Sequence, residues 1–368
     1  MVMTKFEIPV YRPVFVGNEK KYVNECLDDV WISGSGKFVS AFENEFAKYV
    51  GVKHAMSVCN GTVALHLALL ALNIKSGDEI IVPTFTYIAS VNAIKYCNAT
   101  PIFIDSVHKT WQLDPAEIRK KITAKTKAII VPHLYGSSAE MDEICAIAKE
   151  FKLKIIEDAA EAFGTKYNGK HVGGFGEVST FSFFGNKTIT CGEGGMVVTN
   201  DDNIADLVRR LKGQGLAKNR EYYHDIVGYN YRMTNVTAAI GLAQLEKADE
   251  IIAKKRHLAD LYRKKFSDYK NAEFYPELKN VFNSYWMCSV LFANEATKNK
   301  AREALKQGGV ETRPLFYPAH LMPPYQPNSE NFPVAQDLAF RGINLPSSID
   351  VDEKSVDKII KILALYIK

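Results

Sequence analysis

Between residues 54 and 200 the sequence alternates short apolar runs with helix-like stretches, and this alternation constrains the fold more than any other feature. The apolar runs have the length and composition of buried strands: 54–58, 79–83, 101–105, 127–131, 154–157, 179–184 and 196–199. Helical spacing occupies most of the gaps between them: 63–72, 89–96, 115–121 and 141–151. Strands joined by helical crossovers form a mostly parallel sheet with both faces covered. We therefore predict an α/β protein built on a mostly parallel seven-stranded sheet.

The sequence on either side of this region predicts further elements of mixed type. Helical spacing recurs at 19–30 and 38–50, and a long helix is predicted from 235 to 266. Beyond it, strand-like and helical stretches alternate: 285–292, 298–307, 312–317 and 352–366. We predict a large domain over residues 1–245 and a smaller C-terminal α+β domain over residues 246–368.

Composition and charge argue against several classes of partner and site. The 368 residues carry a formal charge of +4 with Lys and Arg dispersed along the chain, a pattern without the footprint of a nucleic-acid or membrane partner. Six cysteines with no C-x-x-C spacing argue against a zinc site or a disulfide framework, and for a reducing compartment. The first ten residues contain no apolar core of a signal peptide, and no later run is long enough to span a bilayer. We expect a cytoplasmic protein without a bound metal.

The residues that follow the first two strands suggest a ligand site. In parallel sheets ligands bind beyond the carboxyl ends of the strands. Asn60, Gly61 and Thr62 open a helix there, and free amides at a helix N-terminus bind phosphate. Tyr87 follows the second strand and can stack on a flat cofactor. An ordinary helix start and an ordinary core aromatic would give the same pattern.

An acid and a lysine follow two later strands. Asp158 follows Ile155, Ile156 and Glu157 at the end of a predicted strand, which places a carboxylate at the mouth of the sheet. Lys187 lies in a loop of small and polar residues between two buried strands, and a lysine there is costly to desolvate unless its amine is used. Taken singly, the acid could be a helix N-cap and the lysine a solvated side chain.

Together these features match the needs of pyridoxal 5′-phosphate (PLP). Asp158 would keep the pyridine nitrogen protonated, Tyr87 would cover one face of the ring, and Lys187 would form a Schiff base with the cofactor. The phosphate would be bound by Gly61, Thr62 and Ser182. This conjunction is far more specific than any of its members.

Seven short motifs give the chain a resemblance to a known family. They are Asn-Gly-Thr at 60–62, Pro-Thr-Phe-Thr-Tyr at 83–87, Glu-Asp-Ala-Ala-Glu at 157–161, Ser-Phe-Phe-Gly-Asn-Lys at 182–187, Gly-Glu-Gly-Gly at 192–195, Gly-Tyr-Asn-Tyr-Arg-Met at 228–233, and Arg-Pro-Leu-Phe-Tyr-Pro-Ala-His at 313–320. The chain resembles the DegT/DnrJ/EryC1 family of PLP-dependent sugar aminotransferases over nearly its whole length. The resemblance implies the aspartate-aminotransferase (PLP type I) fold.

The resemblance also implies a homodimer with shared active sites. Asn230 would reach the phosphate of the cofactor in the partner subunit, with Arg232 close by, and Glu161 would lie near the ring hydroxyl. Substrate contacts are implied for Ser33, Gly34, Tyr135, Arg232, Arg313, Tyr317 and His320. Some family members have histidine at the Schiff-base position and remove a hydroxyl, so Lys187 implies amine transfer instead. Cys191 and Tyr223 depart from the expected threonine and tryptophan.

The resemblance is strongest to enzymes that aminate C4 of GDP-4-keto-6-deoxymannose, with L-glutamate as donor, in surface polysaccharide biosynthesis. The same chemistry on a small phosphorylated ketone, such as dihydroxyacetone phosphate, stays open. So does a non-catalytic regulator with this fold. A nicotinamide-binding enzyme is disfavoured because no G-x-G-x-x-G follows the first strand.

Overall fold

The computed structural model describes residues 6–326 and 330–368. Its helices are α1 (Glu19–Asp28), α2 (Lys37–Val50), α3 (Gly61–Ala71), α4 (Ile88–Tyr96), α5 (Pro115–Lys121), α6 (Met141–Phe151), α7 (Asp202–Lys212), α8 (Asn235–Leu245), α9 (Ala248–Phe266), α10 (Glu295–Gln307), α11 (Pro333–Arg341) and α12 (Glu353–Ile367). Its strands are β1 (His54–Val58), β2 (Glu79–Pro83), β3 (Thr100–Ile104), β4 (Thr126–Pro132), β5 (Lys154–Asp158), β6 (Lys166–Tyr167), β7 (Lys170–His171), β8 (Val178–Ser182), β9 (Gly195–Thr199), β10 (Ala272–Phe274), β11 (Val281–Phe282), β12 (Cys288–Phe292), β13 (Arg313–Pro314) and β14 (Gly342–Leu345).

The central sheet has seven strands in the order β1-β9-β8-β5-β4-β2-β3. The pairs from β3 through β8 are parallel, and β9 runs antiparallel to both of its neighbours. Each predicted strand of this region overlaps an observed one, so the predicted α/β class and mostly parallel sheet are confirmed. The parallel arrangement brings the carboxyl ends of β2, β4, β5 and β8 to one edge.

Apolar side chains cover both faces of this sheet. On one face α3 packs against β8 and β9, and its central residues 64–69 are all buried because α4 and α7 enclose it from outside. On the other face Phe46 of α2 meets the rings of Phe181 and Phe183, with centroids 5.0 and 5.4 Å apart. Rings at such spacings add to the burial of apolar area. The strands that carry the sheet edge are therefore fixed from both sides.

The C-terminal part of the chain forms a four-stranded antiparallel sheet, in the order β10-β12-β14-β13. A third small sheet pairs β11 with β6, which joins residues on the two sides of position 245. The division into domains 1–245 and 246–368 stays a prediction. Residues 1–5 and 327–329, which fall within those ranges, lie outside the described residues, as does the first half of the N-terminal stretch that we expected not to be a signal peptide.

Helices differ from the prediction at three places. The predicted helix 235–266 is two helices, since Lys247 has the non-helical angles φ −107° and ψ 10°. Asp249 and Glu250 lie in the first turn of α9, where acidic side chains stabilise the N-terminus of a helix. Two helices went unpredicted, α7 and α11. The signal for α7 was present in Asp201, whose side chain accepts hydrogen bonds from the amides of Asn203 and Ile204.

Three further observations concern the described residues alone. No helix in ranges 6–326 and 330–368 combines the length and apolar character needed to cross a bilayer. The six cysteines are all unpaired. No grouping of three or more His, Cys, Asp or Glu side chains in these ranges has the arrangement of a metal site.

Candidate active site

A cavity of about 540 Å³ lies at the carboxyl edge of the parallel strands. Its wall includes seven residues singled out in the sequence: Gly61, Thr62, Tyr87, Asp158, Glu161, Ser182 and Lys187. They come from four separate stretches of the chain, and the sheet topology brings them together.

One end of the cavity is the N-terminus of α3. The side chain of Asn60 accepts a hydrogen bond from the amide of Val63, 3.0 Å away, and so caps the helix. A Cβ added to Gly61 would lie 2.8 Å from Cβ of Ser182, so only glycine fits this position. The remaining first-turn amides and the hydroxyls of Thr62 and Ser182 are available to an anion.

Asp158 ends β5 and is held in a fixed orientation. Its Oδ2 accepts a hydrogen bond from Oγ of Ser90 at 2.6 Å, and its Oδ1 accepts one from the amide of Ala160 at 3.1 Å. The carboxylate is buried and lines the cavity. It can therefore present a lone pair to a positively charged ring nitrogen without reorienting.

Lys187 and Glu161 form a close buried pair. The Lys187 Nζ lies 3.8 Å from Oε1 of Glu161 and 4.1 Å from the ring centroid of Trp286. Burial lowers the pKa of Lys187, although Glu161 and Asp158 act in the opposite direction. Burial also raises the pKa of Glu161 to about 7, against the effect of Lys187 and of the Tyr135 amide. Both shifts favour the neutral forms, so the amine is a readier nucleophile and base than an exposed lysine.

Tyr135 and His320 lie behind the cavity wall. Tyr135 is fully buried, its hydroxyl accepts a hydrogen bond from the amide of Phe316 at 3.1 Å, and the two rings stack at 5.3 Å. His320 is buried, with Nδ1 2.7 Å from Oγ1 of Thr84. Neither residue belongs to the cavity wall, and their substrate contacts stay predictions.

A second group of predicted residues lies together on the surface of the chain and does not line this cavity. Asn230 Oδ1 accepts a hydrogen bond from Nη2 of Arg232 at 3.2 Å. Gly34 packs on Arg232, because a Cβ on it would lie 3.2 Å from Cβ of the arginine, and the Ser33 carbonyl accepts the amide of Asn235.

Arg313 and Tyr317 also fall outside the cavity wall. Arg313 pairs with Glu311 at 2.6 Å, and Tyr317 is exposed. For both residues, as for the surface group around Arg232, the predicted roles stay predictions.

Several residues of the cavity were not predicted. Trp286 contributes its ring and donates a hydrogen bond from Nε1 to the carbonyl of Asn186 at 2.6 Å. Phe316 adds a second ring from the C-terminal region. Neither follows a strand of the parallel sheet, so the sheet-edge rule could not find them. Ser90, which orients Asp158, could have been found because it lies three residues after Tyr87 on the first turn of α4.

The residues present fit PLP. The cofactor requires an anion site, an acid for its ring nitrogen, a wall for its flat ring and a lysine of depressed pKa, and the cavity has all four. At the anion end, Gly61 lets Ser182 approach the first turn of α3, because a Cβ on Gly61 would lie 2.8 Å from Cβ of Ser182. Fold and site together define a PLP-dependent enzyme of fold type I.

Comparison with known proteins identifies the family. The profile of the DegT/DnrJ/EryC1/StrS aminotransferase family matches residues 15–364, and the chain belongs to this family. The family and the cofactor predicted from the sequence are therefore confirmed, and the protein is a PLP-dependent aminotransferase.

Individual relatives are similar over nearly the whole chain. A GDP-perosamine synthase of Escherichia coli O157:H7 is 56% identical over 349 residues, which is 95% of each chain. A GDP-perosamine synthase of Vibrio cholerae is 47% identical over 98% of this chain and 99% of its own. The solved structure of Helicobacter pylori PseC, an aminotransferase involved in the biosynthesis of pseudoaminic acid, superposes with a TM-score of 0.93 at 28% identity and 99% coverage of both chains.

Proposed function

We propose that this aminotransferase moves the amino group of L-glutamate to C4 of GDP-4-keto-6-deoxymannose, in the cytoplasm, for the biosynthesis of a surface polysaccharide. The observation that carries the choice of acceptor is the 56% identity to a GDP-perosamine synthase over 95% of both chains. Lys187, which lines the cavity and lies 3.8 Å from Glu161, supports the amine-transfer chemistry.

In this proposal the cofactor is held from both ends of the cavity. The α3 N-terminus, with Gly61, Thr62 and Ser182, binds the phosphate, because amides and hydroxyls there are free to donate. Asp158 would keep the ring nitrogen protonated, and its hydrogen bonds from Ser90 and Ala160 fix the orientation of the carboxylate. Tyr87, half exposed in the cavity wall, would cover one face of the ring. When bound, the cofactor supplies an aldehyde carbon and an electron-withdrawing ring.

Lys187 performs the proton transfers. Its Nζ would act as the general base that takes the proton from Cα of glutamate and as the acid that returns it. Burial lowers the pKa of Lys187, which makes the neutral amine available at a lower pH than in an exposed lysine. Trp286 and Phe316 exclude water from this end of the cavity.

Lys187→Ala tests the chemistry. We expect the variant to fold but to lose turnover, the half-reaction with glutamate and the visible absorbance of the lysine-bound cofactor. Lys212→Ala is a matched control, because the Lys187 and Lys212 side chains are both 12% exposed and both ion-paired, and Lys212 lies outside the cavity wall. Catalysis by Lys187→Ala would refute the assignment.

A panel of ketones tests the acceptor. The pyridoxamine form of the enzyme is mixed with GDP-4-keto-6-deoxymannose or with dihydroxyacetone phosphate, and the return of the lysine-bound absorbance is recorded. We expect only the sugar nucleotide to restore it at low concentration. Restoration by the phosphorylated ketone alone would favour the alternative acceptor. A purified protein without the visible band and without a glutamate half-reaction would favour a regulator.

The same proposal includes a homodimer with shared active sites. Asn230 and Arg232 lie outside the cavity wall of their own chain, so they are free to serve a second chain. Two large apolar side chains directly precede Ser33 and Gly34 in the chain. They are Trp31 and Ile32, which are 55% and 52% exposed. Exposed apolar residues beside a polar cluster are typical of an interface.

A further inference from the structure

The segment before α1 connects the C-terminal region with the loop that carries Lys187. Its backbone is held by the C-terminal region at alternate residues. Ile8 pairs with Val310, the Ile8 carbonyl accepts the amide of Glu311 at 2.9 Å, and the Val10 carbonyl accepts that of Ser347 at 2.9 Å. Two residues on, the Arg12 carbonyl accepts Oγ of Ser348 at 2.9 Å. The segment is thus anchored on both sides of Tyr11.

Tyr11 lies in this anchored segment and contacts the loop that carries Lys187. Its hydroxyl donates a hydrogen bond to the carbonyl of Lys187 at 2.6 Å. Among the described residues, the polar contacts of Asn186 and Lys187 also include the bond from Trp286 to the Asn186 carbonyl, the turn bond from the Lys187 amide to Phe184, and the ion pair of Lys187 with Glu161. Tyr11 is therefore the side chain that fixes the backbone of Lys187 itself.

The ring of Tyr11 is held in place by a second buried lysine. Nζ of Lys255 lies 5.0 Å from the Tyr11 ring centroid and donates a hydrogen bond to the carbonyl of Ser347 at 2.8 Å. The amide of Ser347 also donates the backbone hydrogen bond to the Val10 carbonyl described above. Lys255 and the N-terminal segment are thus both hydrogen-bonded to Ser347. This arrangement leaves the Tyr11 ring little freedom to rotate away from Lys187.

A second contact links the same segment to the far side of the loop. Gln244 Nε2 donates to the carbonyl of Val14 at 3.2 Å, and its Oε1 accepts the amide of Thr190 at 3.4 Å. The loop is thus tied to the segment at Lys187 directly and at Thr190 through one side chain.

We propose that Tyr11 is a positioning residue for catalysis, which holds the Lys187 backbone so that the amine keeps its place between substrate and cofactor. This inference rests on the proposed function, since it takes Lys187 as the residue that moves the proton. A displacement of the amine by a fraction of an ångström lengthens every proton transfer while leaving the binding groups of the cavity unchanged.

The variant Tyr11→Phe removes only the hydroxyl. Tyr262→Phe is its matched control, because the Tyr262 hydroxyl is also buried and donates to a backbone carbonyl, that of Pro346 at 3.1 Å, but does not touch the loop. Two measurements are made on each variant. The first is amide hydrogen exchange of residues 184–191 in the cofactor-free protein, and the second is kcat and KM for glutamate in the holoenzyme.

We expect faster exchange of residues 184–191 in Tyr11→Phe alone, together with a fall in kcat of roughly tenfold and a KM within about twofold of wild type. Equal exchange or equal kcat in the two variants would overturn the positioning role. A wild-type holoenzyme without a glutamate half-reaction would overturn the proposed function, and this role with it. The exchange measurement does not depend on turnover, so the two failures are distinguishable.

Discussion

At the scale of single residues, the pair of Lys187 and Glu161 determines how the site responds to pH. Burial raises the pKa of Glu161 from its ordinary 4.5 to about 7. The folded state therefore binds this proton more tightly than the unfolded chain, and the stability that Glu161 contributes falls as pH rises from about 4.5 to 7. Ionisation of Glu161 at this buried position lowers the free energy of unfolding. We infer that the residue serves the site and not folding.

Glu161→Gln tests this relation. In the cofactor-free protein we expect the free energy of unfolding of wild type to decrease relative to that of the variant by about 1–3 kcal/mol between about pH 5 and 7. The measurement is urea unfolding at a series of pH values for both proteins. Parallel stability curves would contradict the raised pKa of Glu161.

Lys255 offers a second residue-scale prediction. It is 1% exposed, burial lowers its pKa to about 8, and no carboxylate of the described residues lies within ion-pair distance of it. The cost of keeping this buried amine charged is present below about pH 8 and disappears as pH approaches about 10.5, where the unfolded chain also loses the proton.

We expect Lys255→Met to stabilise the fold by about 1 kcal/mol near pH 7, with a gain that shrinks at higher pH. Thermal unfolding across that pH range measures it. Lys254→Met is the control, because Lys254 is the exposed neighbour on α9 and pairs with Glu250 at 3.0 Å. Its substitution should leave stability nearly unchanged at every pH.

Residue by residue, the sequence predicted the cavity side chains that follow parallel strands. Asp158 and Lys187 could be placed because Asp158 ends β5 and Lys187 lies in the loop after β8, two strands whose carboxyl ends define the sheet edge. Trp286 could not, since it comes from the C-terminal region and reaches the cavity through tertiary packing alone. Tyr135 follows β4 as expected, but Trp286 and Phe316 stack over its ring and separate it from the cavity.

At the scale of elements, β5 is fixed by a buried carboxylate beside Asp158. Glu157 accepts hydrogen bonds from the amides of Gly173, Phe175 and Gly176, each at 2.7 Å, and lies 3.1 Å from Nε2 of His133. Burial would raise its pKa, but the bonds from His133 and these amides outweigh burial and lower the pKa. Its stabilisation is thus present above the ordinary value of 4.5 and is lost as pH falls through the lowered pKa.

We expect Glu157→Gln to destabilise the protein by about 3 kcal/mol at neutral pH, because the amide group would face backbone N–H groups that need an acceptor. The difference should shrink in acid, where the wild-type carboxylate is protonated. Urea unfolding measures both values. Glu150→Gln, which breaks an exposed pair with Arg119, is the control and should cost less than about 0.5 kcal/mol.

Helices and strands were predicted most accurately where the pattern of apolar residues was uninterrupted. The strands of the central sheet emerged from short apolar runs, since a strand buried on both faces has no polar positions to interrupt it. The break between α8 and α9 was missed because the helical spacing of apolar residues continues through Lys247. There the side chain of Glu246 accepts hydrogen bonds from Asn18 and Tyr22, contacts that no local pattern encodes.

At the scale of the whole molecule, the site described in one chain lacks the predicted contribution of Asn230 and Arg232. Both are exposed and hydrogen-bonded to each other, Arg232 packs beside Gly34, and neither lines the cavity. The proposed homodimer would supply these residues to the cavity of the second chain, so each site would need Lys187 from one chain and Asn230 from the other.

A heterodimer of two inactive variants tests this arrangement. Lys187→Ala and Asn230→Ala chains are co-expressed with different tags, and the mixed dimer is isolated through both. One site then combines both substitutions, and the other has an intact Lys187 and an intact Asn230. We expect the mixed dimer to have about half the wild-type activity per dimer, while each variant homodimer stays well below it. If each site were instead built within one chain, each site of the mixed dimer would have one substitution, and its activity would not exceed the mean of the two homodimers.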